Sequence, residues 1–130
     1  MALQKIHQVK FCHSMGYAYA LGMINKLQAA NIKFGRFYII APENAGSGSI
    51  PSGFQEIWQY GCNENRDPAF LQDGVAPQTI AKDLPPTNRI YIPNDGNVPM
   101  GFVESHRIAN YGWIFTTIQP GGLGYVKSRK

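Results

Sequence analysis

A strand that faces water on one side alternates polar and apolar residues. Residues 36–41, RFYIIA, do not alternate. After Arg36 every side chain is apolar, the pattern of a strand covered on both faces, as in a parallel sheet. Upstream, residues 6–12 (IHQVKFC) read as a shorter strand with imperfect alternation. Ile6, Gln8, Lys10 and Cys12 share one face, and His7, Val9 and Phe11 share the other, more apolar one. Between the two runs, Met15 to Ala30 has helical spacing: Ala20, Met23, Ile24 and Leu27 form one stripe, and Tyr17 extends it a turn earlier. Gly16 and Gly22 weaken helix propensity, which points to close approach of a neighbouring backbone. Asn31 and residues 33–35 end the helix. The chain therefore starts as strand, turn, helix, strand, with a connection long enough for a right-handed parallel crossover.

Further short strands are expected at residues 55–61 (QEIWQYG) and 89–93 (RIYIP), with a short helix over 105–111. Residues 112–118 (GWIFTTI) read as a late strand or a helix, with β-branched and aromatic content on the side of the strand. The expected class is α/β, a mostly parallel sheet with flanking helices, in one domain spanning residues 1–130.

Composition narrows the functional classes. The 130 residues are 44% apolar and 15% charged, which fits a globular core and not a disordered chain. The formal charge of +4 is spread along the sequence, with a small cluster at Lys127, Arg129 and Lys130. There is no arginine-rich stripe and no zinc-finger spacing, so a nucleic-acid partner is not expected. A single-strand nucleic-acid binder would instead show steeply salt-dependent binding. Cys12 and Cys62, the two cysteines, form neither a disulfide framework nor a four-ligand zinc site. At the strand positions expected for them they stand about 9–10 Å apart, too far for a bridge. No cofactor and no metal is called for. No apolar run approaches the roughly 20 residues of a membrane span. The first residues, MALQKIHQVK, carry no apolar signal core, and the compartment stays open. Residues 45–53 are rich in glycine and serine but lack the lysine-bearing pattern of a phosphate loop.

The turn between the first strand and the helix holds the chemistry. Cys12-His13-Ser14-Met15-Gly16 stands where a strand passes into a helix. In a G-x-S-x-G nucleophile elbow, that sharp turn lifts a serine hydroxyl clear of the backbone, and small residues two places either side permit the bend. Gly16 supplies one of them, and Cys12 stands in place of the other. The competing reading of Ser14 is a helix N-cap.

The segment CHSMGYAYALGMI closely resembles the HSMG elbow and following helix of α/β-hydrolase lipases and esterases, most of all the lipase-like domains of some bacterial proteins. The likeness continues more weakly to about His106. It implies the C-terminal half of an α/β-hydrolase, ester hydrolysis on lipid or small acyl esters, and a triad in the chain order serine, acid, histidine. Ser14 is then the nucleophile. His7 and His13 precede or adjoin it, and adjacent side chains on a turn diverge, so His106 is the base. The acid is expected after the third strand. Asp67, in Arg66-Asp67-Pro68, matches best. Asp73 is the alternative, although Asp-Gly is also a common turn pair, and Glu64 is a third option. The Met15 backbone N–H is one oxyanion donor. Trp58, Tyr60, Tyr111, Trp113 and Phe115 line either an acyl pocket or, more commonly for such residues, the core.

The resemblance also implies something outside the sequence. In the resembled fold about four strands precede the elbow strand, and a loop among them gives the second oxyanion donor. Three arrangements would supply the neighbour: the remainder of a larger chain, a second copy in a homo-oligomer, or another partner covering the domain. The first is preferred, and the 130 residues alone are expected to associate through residues 5–12. Losing one oxyanion donor costs roughly 10²–10³ in kcat, so weak esterase activity is expected rather than that of a competent lipase. The rival reading is a non-catalytic interaction domain that retains the scaffold.

Overall fold

The computed structural model describes residues 8–43, 45–62, 81–91, 106–116, 118 and 122. Four strands form one sheet in the order of the chain: β1 (Gln8–Ser14), β2 (Phe34–Pro42), β3 (Glu56–Cys62) and the short β4 (Arg89–Tyr91). Every adjacent pair is parallel. Helix α1 (Gly16–Ala29) connects β1 to β2. The class is therefore α/β with a parallel sheet.

In β2 only Arg36 is not buried, as the unbroken apolar run demands. Alternate residues of this strand feed two cores. Phe37 and Ile39 join Cys12, Tyr17 and Ile24 in a cluster beneath α1. Tyr38 and Ile40 join Trp58, Tyr60, Tyr111, Trp113 and Ile114 on the other face. The helical stripe works only in part: Ile24 and Tyr17 are buried, whereas Met23 is 42% exposed. A Cβ placed on Gly16 or Gly22 meets no described atom within 4 Å, so neither glycine serves a close backbone approach.

Buried Gln59 is accommodated because its Oε1 accepts the Ala81 N–H at 2.9 Å. That bond ties residues 81–88 to the sheet, and Asn88 Nδ2 adds a bond to the Ile57 carbonyl at 2.8 Å. The glycine-rich loop is tied down as well. It holds a 3-10 turn at Ala45–Ser47 and a parallel bridge between Ser49 and Lys82, while Gln28 Nε2 donates to the Ser52 carbonyl at 2.7 Å.

Residues 113–116 take the second of the two forms expected for them. They form a short helix, α2 (Trp113–Thr116), not a strand. Trp113 and its neighbour Ile114 are both buried, and Phe115 is 56% exposed. A strand would put Trp113 and Phe115 on the same face. Packing of two consecutive side chains into one core overrides the weak strand preference of the aromatic residues. The expected helix over 105–111 is a 3-10 turn at Ile108–Tyr111. Ile6, His7 and most of residues 63–86 lie outside the described residues. Among the described residues no helix is long and apolar enough to cross a membrane.

Candidate active site

In a parallel sheet all strands end at the same edge, and the loops beyond those carboxyl ends are where ligands meet open α/β sheets. Ser14 is the last residue of β1, at that edge. Its φ is 55°, in the left-handed region, which costs a residue with a Cβ about 1–2 kcal/mol. Neighbouring structure holds it there. The Ser14 carbonyl accepts the Glu43 N–H at 3.2 Å, and Ser14 pairs with Pro42 across a register shift. That shift skips Ala41, itself at φ 41°. Two adjacent strands thus kink together at the same level of the sheet.

The helix starts at once. Met15 is the N-cap with helical angles (φ −58°, ψ −22°), and it makes no side-chain capping bond. Ser14 is one residue too early to cap α1. Its hydroxyl goes elsewhere: Oγ lies 2.7 Å from Nε2 of His106, contributed 92 residues later by a segment that follows β4. Ser14 and His106 are both half-buried. The bend is produced by the left-handed backbone of Ser14, and a Cβ on Gly16 would meet nothing within 4 Å among the described residues.

Cys12 is buried beneath α1, and its thiol is pushed up to about 12 by burial, partly opposed by a backbone hydrogen bond at Ile40. A thiol that stays protonated at neutral pH is a poor nucleophile, so Cys12 packs and does not react. Cys12 is a free cysteine, and the side chain of Cys62 lies outside the described residues. Tyr17 beside it is likewise pushed up to about 12, by burial first and by the Cys12 thiolate charge second. Among the described residues no three His, Cys, Asp or Glu side chains are placed to hold a metal ion.

Four of the five aromatic residues belong to the core. Trp58, Tyr60, Tyr111 and Trp113 are buried together, with the Tyr111 and Trp113 rings 5.9 Å apart. Phe115 is exposed. Asp67, Asp73 and Glu64 lie outside the described residues.

One residue of the site escapes sequence reasoning. His13 sits next to Ser14 and does not approach its hydroxyl as a base. Its Nε2 instead reaches the backbone oxygen of His106 at 2.6 Å. The two imidazole rings lie 5.0 Å apart, tilted by 42°. The parity of β1, which groups position 13 with Val9 and Phe11, is the signal that places His13 on this side of the sheet.

No protein-family model, no curated protein and no solved structure matches this chain.

Proposed function

We propose that this domain is a serine hydrolase of the α/β-hydrolase type acting on carboxylic esters, with a lipid or a small acyl group on the acid side. The observation that supports it is the 2.7 Å separation of Ser14 Oγ from His106 Nε2, at a strand-to-helix corner where Ser14 has φ 55°. A hydroxyl held at such a corner and within hydrogen-bond reach of an imidazole is the arrangement that nucleophilic acyl transfer needs.

The chemistry follows from those atoms. Neutral His106 accepts the Ser14 proton at Nε2 as Oγ attacks the ester carbonyl carbon. The carbonyl oxygen becomes an oxyanion beside the start of α1. There the Met15 N–H donates to it, and the helix N-terminus adds partial positive charge, with no acidic residue in the first turn to offset it. His106 Nε2–H then gives its proton to the departing alkoxide oxygen, leaving Ser14 acylated. Water repeats the sequence: His106 removes its proton, and Oγ leaves with that proton returned. The resemblance assigns the acid that would fix the His106 tautomer to Asp67, or in its place to Asp73, both outside the described residues. No cofactor takes part.

Labelling with a fluorophosphonate tests this reading. The wild-type chain should be modified at Ser14, and Ser14→Ala should not react. Asp67→Asn should keep the fold and slow labelling by orders of magnitude. A chain that stays unlabelled while folded supports the rival reading, a scaffold that binds a partner. Loss of reaction in Asp73→Asn alone would move the acid to that position.

A further inference from the structure

Among the described residues, the regular structure that follows His106 is short. His106 is followed by the 3-10 turn Ile108–Tyr111 and then by α2, which is four residues long. Tyr111, Trp113 and Ile114 anchor the far end of this segment in the core. The histidine comes before these anchors in the chain, and its ring must be held within hydrogen-bond distance of Ser14.

His13 supplies a second anchor, at His106 itself. Position 13 shares a strand face with Val9, which packs against the cluster holding Tyr111 and Trp113, and with Phe11, whose ring lies 4.8 Å from that of Tyr38 in the same cluster. From that face Nε2 of His13 meets the His106 carbonyl oxygen at 2.6 Å. A carbonyl only accepts, so His13 carries the proton on Nε2 and donates it. Consecutive residues of β1 therefore grip one residue at two points: His13 holds its main chain, and Ser14 meets its ring.

We propose that His13 is a positioning residue, whose Nε2–H bond to the His106 carbonyl clips that segment to β1 and sets the His106 ring against the Ser14 hydroxyl. It rests on the reading of Ser14 and His106 as nucleophile and base. His13 touches neither substrate nor reacting atoms and exchanges no proton in the reaction. The left-handed backbone of Ser14 makes this possible. It turns the serine away from the strand while residue 13 keeps its place on the sheet face, so neighbouring side chains reach different parts of the same histidine.

Three variants separate the clip from general packing. His13→Phe keeps a ring and loses the donor. His13→Gln places an amide N–H at similar reach. His13→Asn carries the same amide one methylene shorter. With p-nitrophenyl butyrate, His13→Phe should lower kcat by about 10²-fold, the cost of a small misplacement of a catalytic group, with KM nearly unchanged. His13→Gln should recover most of that loss, and His13→Asn should not. A second readout needs no turnover. In ¹⁵N-histidine spectra, Ser14→Ala should shift the His106 Nε2 resonance in the wild-type and His13→Gln backgrounds, and leave it unmoved with Phe or Asn at position 13. The Gln and Asn pair stands in should His13→Phe not fold. Unchanged kcat together with an unchanged Ser14-dependent shift in the Phe or Asn variant would overturn the clip. If the wild-type chain hydrolyses no ester, the hydrolase reading fails while the spectra still decide whether His13 positions His106.

Discussion

At Ser14 the usual ranking of small residues should reverse. In an ordinary strand or helix, glycine is less stable than alanine by roughly 0.5–1 kcal/mol because it loses more backbone entropy. Ser14 has φ 55°, where a Cβ costs about 1–2 kcal/mol and glycine is at ease. Both Ser14→Gly and Ser14→Ala lose the hydroxyl and its 2.7 Å contact with His106, so that loss cancels in the comparison. Urea denaturation should therefore show Ser14→Gly more stable than Ser14→Ala by about 1 kcal/mol. Alanine as the more stable of the two would mean that the corner is relaxed in solution. The serine is kept in this conformation by the Glu43 N–H on its carbonyl and by the paired kink at Ala41. Strain held by surrounding structure is the form that functional sites commonly take.

Between elements, the contact that seats the histidine segment runs through a glycine. Gly61 in β3 has φ 105°, and a Cβ there would come within 2.5 Å of Tyr111 Oη and 3.1 Å of Tyr111 Cε1. Tyr111 is buried and closes the turn that follows His106. Gly61→Ala combines an unfavourable backbone conformation with overpacking, at about 2–4 kcal/mol in total. Displacing Tyr111 also moves the segment carrying His106. Fluorophosphonate labelling at a temperature where the variant is folded should thus fall well below the wild-type rate, and labelling that tracks only the folded fraction would break the link. Sequence alone exposes part of this scale. The buried run in β2 and the helical spacing before it give the parallel sheet and α1, because each pattern has one structural solution. The C-terminal end of β1 falls two residues later than expected, since its alternation is imperfect and a register shift extends it to Ser14. Sequence leaves α2 as one of two alternatives, because aromatic residues favour a strand only weakly while the burial of Trp113 and Ile114 depends on a core built by distant strands. Ser14 and His106 stand out through the elbow pattern and the chain order it implies. That His13 and Ser14 diverge is expected of a turn, but that the His106 carbonyl lies within reach of His13 depends on a segment 93 residues away, and local residue types do not encode that.

On the scale of the whole molecule, β1 is an edge strand of the sheet among the described residues. Among the described residues β1 pairs only with β2, and the N–H and C=O groups on its other side have no strand partner there. An apolar groove of about 280 Å³ runs beside it, lined by Phe11, Cys12, Tyr19, Met23 and Leu27 among others. Phe11 is 52% exposed, Tyr19 73% and Met23 42%, so a sheet edge and an uncovered apolar helix face lie together. Natural edge strands are commonly protected by charge, and Lys10 is the one charged side chain between Val9 and His13. The 130-residue chain should therefore self-associate, with a second copy adding its own β1 against the first. Sedimentation velocity over a concentration series should show dimers or larger species. Phe11→Lys and Tyr19→Lys should shift the chain toward monomer by placing like charges across the contact, whereas Phe115→Lys, which makes the same change at an exposed position in α2, should leave association intact. A monodisperse monomer at all concentrations, or equal effects at positions 11 and 115, would show that β1 tolerates solvent on its open side. The consequence for chemistry is direct. His13 and Ser14 close the same strand, so a chain added at its edge would stiffen the base of the corner that carries the hydroxyl. Labelling of Ser14 should accordingly accelerate as protein concentration rises through the association range.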